Sequence, residues 1–131
     1  MKRLVWSYGT LQRGHGNYRR LLEGNSTFIG TAVSEPAFTM IHMGHFPGIV
    51  RKGTTPIHGE VFEITDPDVM EQLDILEGHP HFYRREPITV TTHDGQSLTV
   101  EGYVLPETWL DGRPDIVESG IWPRVSGKRA S

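Results

Sequence analysis

Apolar and polar positions alternate with a period of two along much of this chain, and in one stretch the period lengthens to that of a helix. Leu4-Val5-Trp6 reads as a short first strand. Thr27 to Val33 and Phe38 to Met43, parted by Ser34-Glu35-Pro36, are rich in branched and aromatic residues and predict two more. Ile57 to Ile64 continues the series. Phe82 to Thr92 and Ser97 to Leu105 predict a pair joined by His93-Asp94-Gly95-Gln96, whose Asp-Gly step signals a hairpin. The clearest helix runs from Pro67 to Glu77: Asp66 suits the N-cap, Pro67 the first helical position, Asp68 the positive end of the dipole and Gly78 the exit. A shorter helix is expected over Tyr18 to Glu23, capped by Asn17 and stopped by Gly24. Beyond Pro106 the chain is turn-rich. The expectation is one domain over residues 1–125 and a loose tail over 126–131. This pattern belongs to an α+β domain with a mostly antiparallel sheet or barrel.

Glu77 breaks the helix's own pattern. At about 100° per residue, Val69, Met70, Leu73 and Leu76 form one apolar stripe, while Glu71 and Asp74 lie on the solvated side. Glu77 follows Leu73 by four residues and Met70 by seven, so it projects from the edge of the stripe. A carboxyl held there is partly desolvated, which raises its pKa and suits it to proton transfer near neutrality. The ordinary alternative is a glutamate at a helix end, in water or paired with Arg84 or Arg85. Periodicity alone leaves both open.

The first loop is similar in status. Tyr8-Gly9-Thr10-Leu11-Gln12-Arg13-Gly14 follows a strand and precedes a helix, a setting in which backbone N–H groups converge on an anion. It lacks the spacing of a nucleotide-binding P-loop or of a dinucleotide-binding glycine motif. Its glycines are equally compatible with an ordinary turn.

Composition narrows the classes. The net charge of −3 gives no general attraction to nucleic acid or anionic membrane. Arg19-Arg20, Arg84-Arg85 and Lys128-Arg129 are dispersed doublets, not a phosphate track. No apolar run approaches the roughly 18 residues of a membrane span, and the opening Met1 to Ser7 is too short in its apolar part for a signal peptide. Cysteine is absent, so thiolate chemistry and disulfides are excluded, and a cytoplasmic home is expected. Seven histidines invite a metal reading, but His42/His45 and His79/His81 match no recognised ligand spacing, so no metal is expected. Glu60 shares a strand face with Phe62 and Ile64 and is expected to point inward, supporting a pocket or meeting an arginine.

Taken in order, several motifs resemble the γ-glutamyl cyclotransferase-like superfamily. Tyr8-Gly9-Thr10-Leu11 with Arg13-Gly14 is similar to its signature loop, and Phe46-Pro47-Gly48-Ile49-Val50 to its proline-containing segment. His58-Gly59-Glu60-Val61-Phe62 resembles its Gly-Glu strand. Leu73-Asp74-Ile75-Leu76-Glu77-Gly78 and Tyr83-Arg84-Arg85 resemble its helix end and following strand, and Gly102-Tyr103-Val104 its last core strand. The resemblance covers residues 4–105 and implies a small mixed, mostly antiparallel β-barrel flanked by short helices. It also implies a reaction, the conversion of a γ-glutamyl amide to 5-oxoproline and a free amine. Glu77 matches the catalytic glutamate. Tyr8, Gly9, Thr10 and Leu11 match the substrate loop, and Tyr8 and Tyr103 are each either a donor to the substrate carboxylate or a packed aromatic with its hydroxyl satisfied.

Those residue types suit that chemistry. The substrate's own α-amine must be folded onto its γ-carbonyl, an orientation worth up to roughly 7–11 kcal/mol. One carboxyl of raised pKa can take the amine proton and return it to the leaving nitrogen. Backbone N–H groups of a preformed loop can hold the carboxylate and the oxyanion. No cofactor is required, and the expected partner is a small γ-glutamyl molecule. The competing reading is a non-catalytic binding module on the same fold. Neither the leaving amine nor the oligomeric state has a signature in the chain, and the stretch Ile116 to Trp122 is either a cover for the pocket or plain packing.

Overall fold

Period-two strands have two different faces to bury, and this chain buries both. The computed structural model describes residues 3–9, 12, 16 and 21–122. Their elements in order are β1 (Leu4–Ser7), β2 (Ser26–Ser34), β3 (Phe38–His42), β4 (Pro47–Thr55), β5 (His58–Ile64), α1 (Asp68–Glu77), β6 (Arg84–Thr92), β7 (Ser97–Val104), a 3-10 helix (Glu107–Leu110) and β8 (Asp115–Ile116). Strands β1-β5-β2-β6-β7 close into a barrel, and β4-β3-β8 form a second small sheet. All barrel pairs are antiparallel except β1 with β7, which meet in parallel at Val5 and Glu101. The expected α+β barrel is therefore present, with the ten-residue α1 packed on it.

Alternation divides the core. Trp6, Val61, Ile88, Val100 and Val104 join one buried cluster with Phe38, Met40 and Ile49 of the second sheet. Their strand neighbours Val5, Phe62 and Tyr103 join another, capped by Val69, Met70 and Leu73 of α1. Helix α1 thus lies on the outer face of β1, β5 and β7, held there by its apolar stripe. Its ends follow the sequence. Asp66 Oδ1 accepts the Asp68 N–H at 3.0 Å, and Gly78 turns the chain out at φ 69° while the His79 N–H closes on the Asp74 carbonyl at 2.9 Å.

Three expectations need amending. Pro47–Thr55 is a full strand, β4, that alternation did not announce. Its first four residues are buried and its next four exposed, so no period of two exists to read. Phe82 and Tyr83 are not strand residues: their N–H groups bond back to Gly78 and Glu77, at 2.8 and 3.2 Å, which holds them in the bend leaving α1. Of the short helix expected over Tyr18 to Glu23, Leu21 and Leu22 are helical and Glu23 already turns. Asn17 and Tyr18 to Arg20 lie outside the described residues, as do Thr10, Leu11, Arg13, Gly14 and the tail 126–131.

Candidate active site

Strand β1 ends where α1 ends, and the space between them is a cavity of about 330 Å³. It is lined by Trp6, Ser7, Tyr8 and Gly9 from β1 and the loop after it, His45, Phe46 and Pro47 from the start of β4 and the turn before it, Leu76 and Glu77 from the end of α1, and Phe82, Tyr83 and Tyr103. Four of the residues singled out in the sequence, Tyr8, Gly9, Glu77 and Tyr103, therefore meet at one place, although 95 residues separate Tyr8 from Tyr103. Thr10 and Leu11, expected beside them, fall outside the described residues.

Glu77 sits in the cavity wall with its carboxyl pushed up to about 7, and the cause is desolvation. Neither arginine that the ordinary reading offered pairs with it. Arg85 bonds Asp74 at 2.5 Å and Glu101 at 3.0 Å, and Arg84 is exposed. Asp74 departs from expectation. Periodicity assigned it to the solvated side of α1, but it is half-buried and accepts the Tyr103 hydroxyl at 2.7 Å as well as the Arg85 guanidinium. Glu101 passes the connection to Arg3 through two bonds of 2.9 and 2.7 Å. One turn before Glu77, therefore, α1 is tied to β6 and β7 by a chain of alternating charges. Such a tie fixes the rotation of the helix, and with it the direction of Glu77.

The tyrosines are structural donors. The Tyr8 hydroxyl donates to the Tyr103 carbonyl at 2.7 Å, and the Tyr83 hydroxyl to the Pro47 carbonyl at 2.6 Å. Burial holds the Tyr8, Tyr83 and Tyr103 hydroxyls well above the ordinary tyrosine range, so all three stay protonated. In this arrangement neither Tyr8 nor Tyr103 has a free proton for a substrate carboxylate. What they offer the cavity is ring surface.

Backbone geometry of the loop is set by a residue that the sequence did not single out. Buried Gln12 donates through Nε2 to the carbonyls of Tyr8, Gly9 and Trp122 at 3.1, 3.2 and 2.9 Å. In a trans peptide the N–H points opposite to the C=O. Holding the Tyr8 carbonyl toward Gln12 thus turns the Gly9 N–H away from it. Gly9 must be glycine here: a Cβ would stand 2.8 Å from Cγ of Pro47. A lone glutamine in a loop carries no signal by which it could have been found.

Other candidates resolve differently. Glu60 is buried at 2 % exposure, as its strand face predicted, and stands opposite Ser7 in the β1–β5 register, outside the cavity lining. Ser7 is 4 % exposed, and its hydroxyl oxygen has no hydrogen-bond partner among the described residues. Trp122 does not line the cavity; it tilts against His42 with ring centroids 5.0 Å apart. His42 and His79 accept backbone N–H groups of Gly44 and Arg85 through Nδ1. Among the described residues no group of three or more His, Cys, Asp or Glu is arranged to hold a metal, and no helix is long and apolar enough to cross a membrane.

Against known proteins, residues 5–124 match the family profile described as "Gamma-glutamyl cyclotransferase, AIG2-like". A Vibrio cholerae protein named "Putative gamma-glutamylcyclotransferase" is 35 % identical over 122 residues, which is 93 % of this chain and 96 % of that one. Rat gamma-glutamylaminecyclotransferase is 32 % identical over 97 residues, 66 % of this chain and 62 % of the rat protein. Among solved structures, a mouse AIG2-like protein superposes with a TM-score of 0.74 at 23 % identity, covering 98 % of this chain and 99 % of the other.

Proposed function

The chain belongs to the γ-glutamyl cyclotransferase, AIG2-like family, and from that premise we propose that it cyclises a γ-glutamyl amide to 5-oxoproline and a free amine, with Glu77 as acid and base. The observation that carries the reading is the Glu77 carboxyl: it lines the cavity, has no arginine partner among the described residues, and titrates near neutrality because it is desolvated. A group of that pKa exchanges protons in both directions at physiological pH.

The steps follow from the walls. The substrate's α-ammonium loses a proton to the Glu77 carboxylate, and the amine nitrogen attacks the γ-carbonyl carbon of the same molecule. The new C–N bond closes a five-membered ring, and the carbonyl oxygen becomes an oxyanion. Glu77 returns its proton to the departing nitrogen and the old C–N bond breaks; the ring nitrogen then gives up its second proton through Glu77 to the freed amine, which leaves as its ammonium ion. With both tyrosine protons committed, binding of the carboxylate and the oxyanion falls to backbone N–H groups of the loop over Tyr8, Gly9, Thr10 and Leu11, with the Gly9 N–H oriented by Gln12. No cofactor enters this scheme. A cytoplasmic setting is part of the same reading.

Glu77→Gln tests it. Release of 5-oxoproline from a panel of γ-glutamyl amino acids and γ-glutamylamines should fall by on the order of 10²–10⁴. Near-normal release by the variant would sink the mechanism. Saturable binding to the wild type with no product would favour a binding module instead.

A further inference from the structure

The cavity lining is of two kinds. Ser7, Tyr8 and Gly9 contribute strand end and loop backbone, suited to the polar γ-glutamyl head. Phe46, Leu76 and Phe82 contribute apolar surface, with His45 and Glu77 as their neighbours in the chain. A cavity of about 330 Å³ falls at the lower edge of the ~300–1,000 Å³ typical of drug-sized ligands, more room than a head that closes to a five-membered ring requires.

The apolar surface is reinforced by aromatic contacts beyond the cavity. Tyr83 meets the Phe82 ring edge-on at 4.9 Å, and Trp109 meets it edge-on at 5.6 Å with the planes 83° apart. Edge-to-face pairs of this kind fix the orientation of a ring as well as adding attraction. Trp109 is itself 38 % exposed, on a 3-10 helix that buries none of its own residues. Its neighbour Leu110 packs against the core, and Trp109 itself extends the aromatic surface outward from Phe82.

We propose that Phe46, Leu76, Phe82 and Trp109 form a leaving-group subsite that selects γ-glutamyl amides whose departing amine carries an aromatic or extended apolar substituent. This rests on the cyclisation reading and adds the substrate class to it. The reacting carbonyl lies at Glu77, the ring-forming head lies against the loop, and the substituent on the departing nitrogen extends over Phe82.

The test compares γ-glutamyl phenethylamide, γ-glutamyl methylamide, γ-glutamylphenylalanine and γ-glutamylglycine, reading kcat/KM for 5-oxoproline release. The phenethylamide should exceed the methylamide, and γ-glutamylphenylalanine should exceed γ-glutamylglycine, at least tenfold, the discrimination that a few buried methylenes supply. Trp109→Ala and Phe82→Ala should each shrink the phenethyl-to-methyl ratio several-fold. Equal kcat/KM across the panel, or a ratio that neither variant moves, would overturn the subsite. Calorimetric binding of the same four compounds to Glu77→Gln separates the two layers of the argument. Aromatic-selective binding together with no 5-oxoproline from the wild type keeps the subsite and overturns the cyclisation. Turnover without aromatic preference does the reverse.

Discussion

Replacing Glu77 by glutamine should make the protein more stable at alkaline pH while it destroys activity. The carboxyl is raised from 4.5 to about 7 by desolvation. Because its native pKa lies above its unfolded one, the native state holds the proton more tightly. The stability this confers is complete below pH 4.5 and is lost as pH rises through 7. At about 1.4 kcal/mol per tenfold change in proton affinity, keeping Glu77 ionised in the fold costs on the order of 3 kcal/mol. Glutamine fills the same space and cannot ionise. The variant's advantage should therefore grow from about 1 kcal/mol at pH 5 to about 3 kcal/mol at pH 8.5. For a chain of this length that corresponds to a rise in Tm on the order of 10 °C at the higher pH. Thermal unfolding of both proteins at the two pH values reads this directly. An advantage of the same size at both, or a variant that melts earlier at pH 8.5, would mean that the carboxyl is solvated, and the argument for a base poised near neutrality would go with it.

Other perturbations reach the site from different sides. The acid limb of kcat/KM in the wild type should have its midpoint near pH 7, set by ionisation of Glu77. Asp74→Asn removes a negative charge one turn from Glu77 and leaves Arg85 less neutralised; that limb should move to lower pH and stability fall by about 1–3 kcal/mol, read from pH–rate profiles and denaturant midpoints. Gly9→Ala puts a Cβ 2.8 Å from Pro47 Cγ and should raise KM at least tenfold while costing about 1–3 kcal/mol; an unchanged KM would mean the loop yields freely. Ser7→Ala deletes a buried hydroxyl oxygen that has no partner among the described residues and should raise stability by about 1 kcal/mol in calorimetry.

The helix was the most legible part of this chain, because its stripe, its cap at Asp66 and its exit at Gly78 are all local signals. Glu77 could be suspected from the same stripe, since desolvation follows from which face a residue occupies. Asp74 could not. Its partners, Arg85 and Tyr103, come from 11 and 29 residues further on, and the periodicity of one helix contains no information about strands packed beside it. Strand β4 was hidden for a related reason: it is buried on both faces over Pro47 to Val50 and on neither over the next four residues. The aromatic lining of the cavity was likewise unreadable. Phe82 was assigned to a strand, whereas hydrogen bonds back to the helix end place it in a bend beside the site.

The hairpin between β6 and β7 offers a practical handle. Strand β7 pairs Thr91 with Ser97 at its start and Arg85 with Tyr103 at the cavity. Six residues at about 3.3 Å each therefore separate the tip from the site by some ~20 Å along the strand. The tip closes on itself: Thr92 Oγ1 bonds Asp94 and accepts the Gln96 N–H, and Gly95 supplies the positive φ of 89° that the turn needs. Asp94 and Gly95 are exposed, and a Cβ at Gly95 would meet nothing within 4 Å. A cysteine introduced at Asp94 would be the sole thiol in the chain, a single point for attaching a dye or a solid support. An enzyme tethered there would present its reactive end to the solution.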